Sequence, residues 1–255
     1  MNKAKFVIIL LIASSLSFFA GDDKYSKPSP YKVIEMLKEG NQRFVEGKST
    51  FPNIDLARRT LAASEDQGKY AYATILSCAD SRVPAELLFD AGVMDLFIIR
   101  VAGNVSDTDE AGTIEYGLGH VHTPVLVVLG HSGCGAVKAV NAVVHGEELK
   151  LEANIPPLVD NIIPAVTKAK EMHSDLNQSE LVPFAIEQNV WQSIEDLYMK
   201  SAATRNWVEE GKVKVVGGIY DIATGKVNWL DENKPMEILK AVNLNSERSM
   251  NVYAE

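Results

Sequence analysis

Val125-Leu126-Val127-Val128-Leu129-Gly130-His131-Ser132-Gly133-Cys134-Gly135 is the stretch whose reading decides the fold. Its first five residues are apolar without polar alternation, the pattern of a strand covered on both faces in a parallel sheet. The strand runs into a turn with glycines at 130, 133 and 135, and the residues after it read as a helix. Two earlier runs, Ala73–Cys78 and Leu96–Val101, have the same character, and helix-compatible stretches at 84–89 and 112–122 lie between the three. This order of strand, helix and strand predicts an α/β fold with a central, mostly parallel β-sheet flanked by helices. A fourth run, 213–220, follows a long helical region over 182–210. A short strand at 227–230 comes after Ala223-Thr224-Gly225, a turn tight enough for an antiparallel hairpin. Ahead of the sheet, Val33, Met36, Leu37, Phe44 and Val45 recur at helical spacing, predicting an amphipathic helix through Gly47 that packs on another element or on a second subunit.

The chain has 255 residues and is 46% hydrophobic, enough for a sizeable core. No linker-like composition or solenoid repeat divides it, so residues 21–255 read as a single domain. Residues 1–20 differ: Lys3 and Lys5 precede an apolar run from Phe6 to Ala20, short for a bilayer span. That is the architecture of a signal peptide, and it predicts a periplasmic or secreted mature protein with no stable membrane insertion. Removing it takes the formal charge from −9 to −11, a surface that excludes nucleic acid and anionic membranes as partners. By compartment alone, Cys78 and Cys134 of an exported protein would be expected to pair as a disulfide. Their flanking sequences point elsewhere.

Cys78-Ala79-Asp80-Ser81-Arg82 closes the first strand and His131-Ser132-Gly133-Cys134 closes the third, the end of a parallel sheet where ligand sites form. A His-x-x-Cys spacing across a glycine-rich turn lets an imidazole and a thiolate converge, and Cys134 at a helix start has its thiolate favoured by the helix dipole. Two thiolates and one imidazole suit zinc, and three protein ligands leave a fourth position for water. Cys78, His131 and Cys134 are therefore the candidate ligands of one catalytic Zn2+ per chain. The carboxylate of Asp80 is a possible fourth ligand, and Arg82 offers a bidentate fork for it. Taken alone, Asp80 reads better as a helix cap before Pro84 and Arg82 as a surface charge, a reading that loses beside a cysteine metal ligand.

Cys-Ala-Asp-Ser-Arg-Val-Pro at 78–84, Arg-Val-Ala-Gly-Asn at 100–104 and Gly-His-Ser-Gly-Cys-Gly-Ala-Val at 130–137 together resemble the β-class carbonic anhydrases. Glu39-Gly40-Asn41-Gln42-Arg43-Phe44 matches the family's usual N-terminal helix, and the resemblance runs from about Pro30 to Leu230. It implies reversible hydration of carbon dioxide to bicarbonate, with zinc on Cys78, His131 and Cys134. Asp80 and Arg82 would form a dyad in which Asp80 either orients the attacking hydroxide or swings onto zinc in a resting form. Gln67, eleven residues before Cys78, stands for a substrate-orienting glutamine, two residues further out than usual. Arg100 and Tyr220 match two members of a second bicarbonate site, while Ile75 replaces its tryptophan. The resemblance also implies a homodimer or tetramer with the N-terminal helix extending onto a partner subunit. Two other readings stay open: hydrolysis of carbonyl sulfide or carbon disulfide on the same scaffold, and a non-catalytic zinc or disulfide protein.

Overall fold

A computed structural model of the chain describes residues 27–253. The leader expected over residues 1–20 lies outside them. The described residues build one five-stranded sheet in the order β2-β1-β3-β4-β5, from β1 (Ala73–Cys78), β2 (Leu96–Val101), β3 (Val125–His131), β4 (Lys214–Tyr220) and β5 (Val227–Trp229). β1 pairs in parallel with β2 and β3, β3 pairs in parallel with β4, and β5 returns antiparallel to β4 as the short turn predicts. Every residue of β1 and β3 is buried, which explains why neither strand alternates.

Ten α-helices surround the sheet. α1 (Pro30–Val45) and α2 (Leu56–Ala62) precede β1; α3 (Ala85–Leu88) and α4 (Thr108–Gly119) connect the first three strands; α5 (Gly135–Val144) follows β3. α6 (Ile155–Val159), α7 (Ile163–Met172), α8 (Gln178–Lys200) and α9 (Ala202–Glu209) cross over to β4, and α10 (Lys234–Leu244) follows β5. The helical region expected over 182–210 consists of two helices. Ser201 adopts an extended ψ of 98° and its hydroxyl accepts from Thr204 N–H, which ends α8 and caps α9 in one residue. α8 also begins earlier than its apolar pattern, because Asn177 and Glu180 form a reciprocal capping box.

The amphipathic first helix is seated on its own chain. Val33 and Leu37 are fully buried and join Ile75 and Val127 of the sheet in one apolar cluster, so the helix packs on another element as its apolar side predicts. Asn41 fixes the seat: Nδ2 donates to Leu88 O (3.1 Å) and Gly225 O (2.9 Å), while Oδ1 accepts from Val227 N (2.8 Å). By contrast, α2 buries no side chain, and Phe51, Ile54 and Leu56 beside it are exposed.

Candidate metal centre

Because β1 and β3 are neighbours in parallel, their carboxyl ends bring Cys78 and His131 together. The turn after β3, with Gly133 at φ 68°, carries Cys134 back to the same point as the residue preceding α5. One ligand atom from each of the three side chains falls within 4.8 Å of the others. All three residues are buried, with His131 at 0% exposure.

His131 is held in one tautomer. Its Nδ1 lies 3.1 Å from Ser132 O, and a carbonyl only accepts, so Nδ1 carries the hydrogen and Nε2 presents its lone pair. That Nε2 is buried and has no hydrogen-bond partner, an arrangement that costs about 1–3 kcal/mol unless something else fills it. The sulfurs tell the same story. Cys78 is held low, first by the hydrogen bond with the Cys134 thiol, and Cys134 is pushed up first by that same bond and then by burial. Two thiolates this close repel, so without a counter-charge the pair keeps one proton. A divalent cation between the sulfurs and Nε2 resolves both conflicts, and a borderline-soft set of one nitrogen and two sulfurs suits zinc.

Asp80 and Arg82 meet as a fork. Arg82 Nε donates to Asp80 Oδ1 (2.9 Å) and Nη2 to Oδ2 (2.6 Å), with the Arg82 backbone N–H adding a third bond to Oδ1 (2.9 Å). These bonds hold the Asp80 carboxyl well below the usual carboxylate range, so it is an ionised acceptor at any working pH. Oδ2 stands 3.9 Å from His131 Nε2, which points the carboxylate at the cluster. The helix-cap reading of Asp80 fails: the residue before α3 is Pro84, and no side chain caps that helix.

Gln67, Arg100 and Tyr220 belong to three separate elements. Gln67 sits in a short 3₁₀ turn (Gln67–Lys69) ahead of the amino end of β1. The rest of β1 separates it from Cys78, roughly 17 Å at about 3.3 Å per residue, so this chain does not bring Gln67 to the cluster. Arg100, on edge strand β2, is separated from Tyr220 on β4 by two strands. Arg100 braces the ligand loop, donating from Nε to Cys78 O (3.2 Å) and from Nη2 to Asp80 O (2.6 Å). Tyr220 is buried against the sheet, and its carbonyl accepts from Ser132 N (2.8 Å). Sequence reasoning missed Asn189, which donates to Gly103 O, because a polar residue inside a long helix carries no local signal of what it touches.

A mononuclear thiolate–imidazole centre at the carboxyl edge of a parallel sheet, with an ionised carboxylate turned towards its open side, defines a metal-dependent α/β protein. The carbonic anhydrase family model matches residues 73–227, which spans both cysteines and His131. A carbonic anhydrase of Mycolicibacterium smegmatis is 36% identical over 200 residues, covering 78% of this chain and 92% of the relative. Carbonic anhydrase 2 of Mycobacterium tuberculosis is 33% identical over 199 residues, with 78% and 91% covered. Among solved structures, the β-carbonic anhydrase CcaA superposes with a TM-score of 0.59 at 27% identity, covering 78% of this chain and 88% of that one. The chain belongs to the β-carbonic anhydrase family, whose general activity is the hydration of carbon dioxide and whose members depend on zinc.

Proposed function

We propose that this chain catalyses CO2 + H2O ⇌ HCO3⁻ + H⁺ at one zinc ion held by Cys78, His131 and Cys134. The observation that carries the reading is the convergence of three buried donors, one of them an unpartnered Nε2, beside an ionised Asp80. Bound zinc supplies Lewis acidity that acidifies water, chemistry for which carbonic anhydrases are the standing example. The protein's own groups do the rest. Asp80 Oδ2 accepts a hydrogen bond from the attacking oxygen and so turns its lone pair towards carbon dioxide. Arg82 grips both carboxylate oxygens, which keeps Asp80 an acceptor rather than a ligand. Val105, Val137 and Ile162 surround the cysteines with apolar surface, an environment for an uncharged substrate.

The test is stopped-flow hydration of carbon dioxide by purified mature chain, running as a dimer or tetramer in light scattering, with zinc counted by elemental analysis. One zinc per chain and zinc-dependent hydration are expected, with carbonyl sulfide turned over far more slowly. Cys78 and Cys134 are free in the structure, against the disulfide reading, and their recovery as a disulfide from fresh zinc-free protein would sink the proposal.

We further propose that the mature chain works outside the cytoplasm, on the strength of Lys3, Lys5 and the apolar run from Phe6 to Ala20. Cell fractionation with N-terminal sequencing should find a shortened chain in the extracytoplasmic fraction. A cytoplasmic product with Met1 intact refutes this.

A further inference from the structure

Gly103 and Asn104 are consecutive left-handed residues, at φ 77° and 47°, in the turn that follows β2. The second is uncommon for a residue with a β-carbon and persists only when its surroundings dictate it. The Gly103 N–H donates to Cys78 Sγ at 3.3 Å. On the far side of the same residue, the Gly103 carbonyl accepts from Asn189 Nδ2 at 2.7 Å, and the Asn104 carbonyl accepts from Ser193 Oγ at 2.9 Å. Asn189 and Ser193 are four residues apart on α8, on one face, at 1% and 2% exposure. Opposite them the turn is walled: a β-carbon on Gly103 would meet Ile162 Cδ1 at 2.6 Å and Ala136 Cβ at 3.2 Å. The N–H and the carbonyl of Gly103 lie in neighbouring peptide planes, so with the α-carbon walled in, holding the carbonyls limits how far the N–H can turn from the sulfur.

Asn189 is an expensive way to fill its position. Its Oδ1 is buried with no partner, a penalty that an apolar side chain of the same size avoids. What an apolar side chain cannot do is hold the Gly103 carbonyl. We infer that Asn189 is a positioning residue for Cys78, orienting the Gly103 N–H that donates to the ligand sulfur; the inference rests on the proposed role of Cys78 as a zinc ligand. A hydrogen bond to a ligating sulfur withdraws charge from it and fixes its direction, the means by which groups outside the ligand set tune a metal.

The experiment uses the full mature protein with cobalt(II) exchanged for zinc and reads the thiolate-to-cobalt charge-transfer band. Wild-type protein must show that band; its absence defeats the ligand assignment, not the role of Asn189. In N189L the band should move to longer wavelength at unchanged cobalt stoichiometry, because a sulfur with one hydrogen bond fewer gives up an electron more readily. Zinc affinity should fall by about 10–100-fold, the usual effect of losing such a supporting contact. N189A, a smaller change, should shift the band in the same direction. Ile194→Val, in the same helix and the same buried class, should lower the thermal midpoint and leave the band in place, which separates positioning from general packing. A folded N189L or N189A with the wild-type band and wild-type zinc affinity overturns the inference.

Discussion

Replacing His131 by alanine is expected to abolish both zinc retention and carbon dioxide hydration. A supporting residue outside the ligand set typically costs 10–100-fold in metal affinity, and His131 supplies one of the three donors of the cluster, so its loss should exceed that range. Stability gives an independent reading. Zinc that binds only the folded chain raises wild-type stability by about 2.7 kcal/mol at a hundredfold excess over its dissociation constant, and the variant should show almost none of this increment. Without metal the difference should be small, because the imidazole removed is one whose Nε2 had no partner, and relief of that cost offsets part of the cavity created. Thermal melts of both proteins with and without added zinc provide the check. A variant that still gains stability from zinc and still turns over would show that the donors lie elsewhere.

Arg82→Ala should cut hydration by on the order of a hundredfold while leaving zinc content near one per chain. Arg82 touches no ligand atom of the cluster; its guanidinium grips Asp80. Once it is gone, the carboxylate keeps only the backbone N–H at position 82, and its nearest remaining counter-charge is the metal. The side chain then occupies the position that water needs. Arg82→Lys should rescue poorly, since a point charge cannot grip both oxygens at once. Elemental analysis beside stopped-flow kinetics separates loss of metal from loss of turnover. Near wild-type rates at full occupancy would return Asp80 and Arg82 to ordinary loop roles.

Much of the fold was legible because strands buried on both faces, as β1 and β3 are, lack polar alternation. Ala73–Cys78, Val125–His131 and the more exposed Leu96–Val101 are strands at the bounds read for them. The cluster was legible for a related reason: its donors directly follow strand ends, so sequence position and spatial position coincide. Where this coincidence fails, local pattern says less. Gln67 and Cys78 are close in the chain, but β1 lies between them and separates them along its length. Arg100 and Tyr220 belong to strands whose order in the sheet differs from their order in the chain. Asn189 lies 86 residues from the carbonyl it holds, beyond any local pattern. The break at Ser201 within the helical region is marked by the serine hydroxyl that accepts from Thr204 N–H. The first helix showed an apolar side without showing what covers it.

The three bonds made by Asn41 also set an order of events. Two of them reach Gly225 and Val227, across sequence separations of 184 and 186 residues. Closing so long a loop carries its entropic cost before the contact returns anything, and these partners are synthesised well after the helix. The helix therefore completes its polar contacts late, after the β4–β5 hairpin has been made. Until then Val33 and Leu37 lack part of their cover, so the growing chain keeps an unfinished apolar face.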